Sequence, residues 1–224
     1  MLLVMDVGNT NIKAGLFAQG KLRNSWRLAS SRRRTADELG IQMEWFFRRL
    51  GISTAAITGV IISSVIPSLN YTLEHMCSLY FYGRKPMMVD AGLDLGFVNR
   101  YDRPDQLGSD RICNIVAAKA FYGGPVIVID FGTATNFVVL DSNADFVGGV
   151  IFPGFQVATE ALAENTAMLP KVEYIKPRRV ICTNTEQALQ AGILYGYVGQ
   201  IEYLVNKTKE ELGLMPPGIL MRLM

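Results

Sequence analysis

Two short stretches of this chain place an acidic residue, a glycine and small hydrogen-bonding side chains directly after an apolar run. In the first, Leu2-Leu3-Val4-Met5 leads into Asp6, Gly8, Asn9, Thr10, Asn11 and Lys13. In the second, Val126-Ile127-Val128-Ile129 leads into Asp130, Gly132, Thr133 and Thr135. A turn of this composition offers backbone N–H groups, unhindered approach at the glycine and short side-chain donors, which together make a cradle for phosphate. Lys13 adds a point charge able to reach a phosphate oxygen. Asp6 and Asp130 repel phosphate and suit instead a cation, or its water shell, that travels with a nucleotide. One such turn is a weak signal, because Gly and Asn also serve ordinary surface turns. Two at matching positions are a much stronger one.

A third group, Gly108-Ser109-Asp110-Arg111, lies between the two turns in sequence. A carboxylate there can take the proton of an attacking hydroxyl, and the adjacent arginine can hold a substrate carboxylate or steady the charge on a transferring phosphoryl group. The same residues also suit a helix start: Ser109 or Asp110 can cap a helix over 111–121, with Ile112, Ile115, Val116 and Ala120 on its apolar side.

The elements that must hold these groups are legible from pattern. Residues 11–17 and 21–28 suit strands, joined by a hairpin turn at Gln19-Gly20. Residues 35–50 read as an amphipathic helix opened by a capping box of Thr35 and Glu38. Residues 59–63 (GVIIS) form a short buried strand, 67–80 a further helix and 87–89 another strand. From Val126 the opening design recurs: strand, acidic turn, second strand, a turn at 143–145 and a third strand over 146–152. Setting Asp6 on Asp130 puts Gly8 on Gly132, Asn9 on Thr133 and Asn11 on Thr135, an offset of about half the chain. Such self-similarity predicts an α/β fold of two duplicated halves with mixed β-sheets flanked by helices and a cleft between them. The boundaries drawn are 1–107 and 108–224, with the polar segment 101–111 as the bridge.

Composition narrows the function. Half of the chain is apolar, which argues against disorder, and 22 basic against 20 acidic residues give a net charge of +2, with no strong pull toward nucleic acid or membrane. Arg32-Arg33-Arg34 reads as a solvated run. The three cysteines, Cys77, Cys113 and Cys182, lie far apart with only His75 to assist them, which fits reduced thiols in a cytoplasmic protein better than zinc. With its apolar run broken at Asp6, the N-terminus is not expected to act as a signal peptide, and no apolar stretch in the sequence approaches membrane-spanning length.

With these residues in view, the chain resembles the type III pantothenate kinases, of the acetate kinase, sugar kinase, Hsp70 and actin superfamily. The likeness rests on DVGNTNIKAGLF, PDQLGSDRICN, VIDFGTATNF, GGVIFPG at 148–154, and NTEQALQAGILYGYVGQIE at 184–202. It implies actin-like (ribonuclease H-like) halves and phosphorylation of pantothenate by ATP to 4′-phosphopantothenate, the first step of coenzyme A biosynthesis. It also implies a homodimer that uses Mg2+ with the nucleotide and a monovalent cation, K+ or NH4+. By resemblance, Asp6, Val7, Gly8, Asn9, Thr10, Asn11, Ile12, Lys13 and Thr133 bind ATP, and Asp130 binds the monovalent cation. Tyr101, Gly108, Ser109, Asp110 and Arg111 bind pantothenate, with Asp110 as the general base. Thr185 contacts substrate across the dimer, a role compatible with capping the helix before Glu186. Ile151, Phe152, Ile193, Leu194 and Tyr197 suit either a dimer interface or the core. The family's Thr-Gly-Gly-type adenosine motif and a strand are expected after a helix over 186–212; "LMPPGILMRLM" stands there instead, as in a half truncated at its end. The alternative expectation is therefore a weak or inactive homologue acting as a nucleotide- or pantothenate-binding regulator.

Overall fold

The computed structural model describes residues 1–213. They divide into two compact units, one comprising 1–96 with 101–116 and the other 97–100 with 117 onward. The strand expected beyond residue 212 lies outside the described residues.

The first unit is built on β1 (Leu2–Val7), β2 (Asn11–Ala18) and β3 (Lys21–Ala29), followed by helix α1 (Ala36–Arg49), β4 (Gly59–Ser64), helix α2 (Pro67–Tyr80) and the short β5 (Met87–Met88). The five strands form one mixed sheet in the order β3-β2-β1-β4-β5. β1 runs antiparallel to β2 and parallel to β4. Alternation along β1 sends Leu3, Met5 and Val7 into the core, with Ile12, Ala14 and Leu16 of β2 beside them. Leu39, Met43 and Phe47 of α1 and Leu69, Leu73 and Met76 of α2 close over that face. Each such side chain fully withdrawn from water contributes about 1.5–3 kcal/mol, so this face is rigid. The opposite face of the same strands carries Asp6 and Lys13, which is how a buried-looking run delivers a charged pair.

Local chemistry explains the elements. Gln19 and Gly20 both adopt positive φ, 52° and 71°, as a two-residue hairpin turn of the type that matches strand twist requires. Thr35 accepts from the Glu38 N–H and Glu38 accepts from the Thr35 N–H at 2.8 Å, so the expected capping box is formed. Gly40 gives α1 and α2 their close approach, because a Cβ there would sit 2.1 Å from the Tyr80 ring. The Tyr80 hydroxyl then reaches Asp37 at 2.8 Å.

The second unit repeats the three-strand opening as β6 (Val126–Phe131), β7 (Ala134–Leu140) and β8 (Phe146–Pro153), an antiparallel sheet in that order. Helix α4 (Phe155–Glu164), which no pattern in the sequence announced, and the long α5 (Thr185–Glu211) follow. Ile127, Ile129, Phe137, Phe152 and Val205 form a core against which Tyr197, Ile201 and Leu204 pack. Phe152 and Tyr197 therefore serve the interior, while Ile151 is 56% exposed. Asn99 bridges Phe146, and Arg100 reaches Asp145 at 3.3 Å and Asp141 at 3.5 Å, which seats segment 97–100 in this unit.

Helix α3 (Ser109–Tyr122) starts two residues earlier than its pattern implied. Ile112, Ile115 and Ala118 are its buried apolar residues, whereas Val116 and Ala120, expected on the same side, are exposed. The apolar stripe is thus narrower and rotated toward 118.

Candidate active site

In the first unit the turn between β1 and β2 is held by its own carbonyls. The Gly8 N–H donates to the Asn11 carbonyl at 3.0 Å, the Ser30 N–H to the Thr10 carbonyl at 2.9 Å, and the Ser30 hydroxyl to the Gly8 carbonyl at 2.5 Å. The N–H groups of Asn9 and Thr10 donate to no acceptor among the described residues, and both residues are exposed. A loop whose carbonyls are engaged and whose amides face solvent has the disposition that an anion cradle needs. Ser30, which sequence reasoning missed, makes it so; a serine one residue past a strand carries no sequence signal of that role.

Asp6 and Lys13 stand opposite each other in the β1–β2 ladder, and their side chains pair at 3.3 Å. Both are about half-exposed, so the pair itself adds only about 0.2–1 kcal/mol. Its worth is in position. The register continues sideways, with Arg27 of β3 opposite Lys13 and Ser63 of β4 opposite Asp6, so four strands present Arg27, Lys13, Asp6 and Ser63 as one polar row.

The first turn of α3 belongs to the same unit. The Ser109 hydroxyl donates to the Ser64 carbonyl at 3.0 Å and is 7% exposed, so that side chain is spent on β4 rather than on capping. Asp110 is half-buried, and a Cβ on Gly108 would meet its Oδ1 at 2.7 Å, so the glycine leaves that carboxylate its room. Arg111 is 8% exposed; its guanidinium donates to the Tyr101 hydroxyl at 2.7 Å and the Gln106 carbonyl at 2.9 Å, and it lies 5.3 Å from the Tyr101 ring centre. No carboxylate pairs with it among the described residues. A buried cation held only by neutral partners can take an anion as a further partner. Partial desolvation raises the Cys113 thiol above its ordinary range, and the charges of Asp6 and Asp110 raise it further.

In the second unit the corresponding turn differs. Asp130 faces Asn136 in the ladder, where Asp6 faces Lys13, and Phe131 faces Thr135, where Val7 faces Ile12. Gly132 accordingly closes onto the Ala134 carbonyl at 3.1 Å, one residue sooner than Gly8 closes onto Asn11. Thr135 therefore corresponds to Ile12 and not, as the sequence repeat had it, to Asn11; it is fully buried and hydrogen-bonded to the Tyr197 hydroxyl. Thr133 is exposed at the apex, and Asp130 is half-buried. Gly154 supports the turn from behind: its N–H donates to the Thr133 carbonyl at 3.0 Å, and a Cβ there would lie 2.0 Å from the Gly132 carbonyl oxygen. At α5 the cap is Asn184, whose side chain accepts from the Gln187 N–H at 2.9 Å, so Thr185 is the first helical residue rather than the cap, and is exposed.

The donor set bears on the cations. No group of three or more His, Cys, Asp or Glu side chains able to hold a metal exists among the described residues. A single carboxylate such as Asp6 fits an ion that keeps several waters and takes its other ligands from phosphate, as Mg2+ does. No described helix is long and apolar enough to cross a membrane.

Comparison with known proteins identifies the fold and the family. A crystal structure of a Campylobacter jejuni protein assigned to the Baf family of transcriptional activators shares the fold, at TM-score 0.55 and 19% identity over 89% of this chain and 77% of that one. A type III pantothenate kinase of Brevibacillus brevis is 45% identical over 216 residues, 96% of this chain and 84% of that protein. The family model for type III pantothenate kinase matches residues 2–207, and the chain belongs to that family of kinases.

Proposed function

We propose that this chain transfers the γ-phosphoryl group of ATP to the primary hydroxyl of pantothenate, yielding 4′-phosphopantothenate, with Asp110 as general base and Arg111 as the anchor of the pantothenate carboxylate. The observation that carries the reading is the buried Arg111 guanidinium, without a carboxylate of its own, one residue from a half-buried aspartate. A substrate with a carboxylate at one end and a hydroxyl at the other answers both. Tyr101 orients the guanidinium, and Gly108 and Ser109 set the backbone that carries Asp110.

Asp110 accepts the proton of the attacking hydroxyl as it approaches phosphorus in line. The free amides of Asn9 and Thr10, the Lys13 ammonium and the Thr133 hydroxyl stabilise the phosphate charge, and most of the acceleration comes from positioning. Asp6 holds Lys13 in place and offers a carboxylate to hydrated Mg2+, which neutralises phosphate charge when bound. Asp130 is the ligand for K+ or NH4+. Two chains form a homodimer in which exposed Thr185 at the start of α5 contacts the partner's substrate, and the enzyme works in the cytoplasm.

The test is phosphate transfer from ATP to pantothenate by this 224-residue chain, with magnesium and with potassium exchanged for sodium. Potassium-dependent 4′-phosphopantothenate is expected, and Asp110→Asn should lower kcat by at least about 100-fold with pantothenate binding retained. A folded D110N enzyme with parental turnover would remove Asp110 as the base.

A further inference from the structure

We infer that Ser63 is a positioning residue for phosphoryl transfer, fixing the carboxylate of Asp110 through the Ser109 hydroxyl and the first turn of α3; the inference rests on Asp110 being the base. Ser63 is 6% exposed at the end of β4, a strand whose other buried residues, Val60 and Ile62, are apolar. Burying a hydroxyl costs free energy unless it is hydrogen-bonded, and packing alone would be served as well by an apolar side chain of like size. What the hydroxyl does is bond. Ser63 Oγ donates to Ser109 Oγ at 3.0 Å, and Ser109 Oγ donates in turn to the Ser64 carbonyl at 3.0 Å. Two adjacent residues of β4 thereby grip one residue of α3, and the next residue is Asp110.

The other side of Ser63 is Asp6. The two are partners in the parallel β1–β4 ladder, so the hydroxyl that holds the helix start stands beside the carboxylate paired with Lys13. Ser63 is thus a common fastening between the strand that presents the phosphate-side groups and the helix that presents the base. A loss of register there displaces Asp110 relative to Lys13, and displacements near 1 Å can cost about 100-fold in rate.

The isosteric pair Ser63→Thr and Ser63→Val tests this. Both add the same bulk in a buried place, so any packing harm is shared, and only the Thr variant keeps a hydroxyl. Steady-state kinetics should give a kcat for Ser63→Thr about tenfold above that of Ser63→Val, with KM for ATP within about twofold between them and with equal melting temperatures. Ser109→Ala breaks the same link, so adding Ser63→Val to it should lower kcat no further. Equal kcat for the Thr and Val variants, or losses that multiply in the Ser63→Val/Ser109→Ala double variant, would overturn the inference. Equal Thr and Val rates with an inactive Asp110→Asn enzyme would dismiss Ser63 alone, whereas an active Asp110→Asn enzyme would dismiss the base.

Discussion

The turn at Gly8 and the turn at Gly132 begin from the same string of residue types and end with different chemistry. In the first, four residues separate the paired positions Val7 and Ile12, and Lys13 comes to lie opposite Asp6 at 3.3 Å. In the second, three residues separate Phe131 and Thr135, and the residue opposite Asp130 is the neutral Asn136. One residue fewer in the loop also changes what the hydroxyl does: Thr135 turns into the core to meet Tyr197, while Asn11 at the start of β2 remains half-exposed beside the first cradle. Because side chains alternate along a strand, a single-residue change in loop length reassigns every position that follows. A duplicated motif therefore need not keep a duplicated role; here the first copy sets a cation opposite its aspartate and the second a neutral amide.

The sharpest way to break that contrast is to remove each opposing residue. Lys13→Ala should lower kcat/KM for ATP by about 100-fold, since the ammonium is the one flexible cation opposite Asp6 in that ladder. Its melting temperature should hardly move, because the ion pair it loses is half-exposed. Asn136→Ala, at the matching register of the second copy, should change kcat/KM by less than about fivefold. Equal losses for the two variants would mean that the copies share one function after all.

A smaller effect concerns how each turn is held. Behind the second turn, Gly154 leaves no space, with a built Cβ 2.0 Å from the Gly132 carbonyl oxygen and 2.7 Å from that of Thr133. Both are backbone atoms and cannot swing aside, so Gly154→Ala should cost about 1–3 kcal/mol in denaturant unfolding. A Cβ on Gly8 meets only the Asn11 carbonyl oxygen, at 3.3 Å, and Gly8→Ala should stay within about 1 kcal/mol of the parent. If Gly8→Ala proves the more destabilising, the first turn is the tighter one and the account of Ser30 as its chief support is wrong.

What was legible in the sequence follows the range of the interaction that decides it. Thr35 and Glu38 announced a capping box because both partners lie within one turn of chain, and Gln19-Gly20 announced a hairpin for the same reason. The acid, glycine and amide residues of the two turns, and the α/β class with helix-flanked sheets, were likewise readable from local pattern. The residues that went unread depend on contacts made far along the chain. Ser30 acts on Gly8 from 22 residues away, and Ser63 acts on Ser109 from 46. The equivalence of Thr135 with Ile12 is a matter of ladder register, which residue types alone do not encode. Asn184 took the cap from Thr185 because both residue types cap well and the choice between neighbours is settled by backbone geometry.

The mildest contrast between the units is in their thiols, and it shows as pH dependence. Cys77 lies fully buried in the first unit's core, where burial, with a further contribution from Glu74, pushes its thiol from 9.0 up to about 12. Cys182 of the second unit is only half-buried. A group whose pKa is raised on folding prefers its protonated form in the native state, so the unfolded chain loses the proton first as pH rises. The resulting stability is fully present below pH 9, declines as pH climbs from 9 toward 12, and is gone above that. Cys77→Ala should therefore cost stability at pH 7 through the cavity it opens, yet lose less on going from pH 8.5 to pH 11 than the parent does. Melting temperatures of the two proteins across that range decide the matter: a Cys77→Ala slope equal to the parent's would mean that Cys77 ionises no later in the folded chain than in the unfolded one.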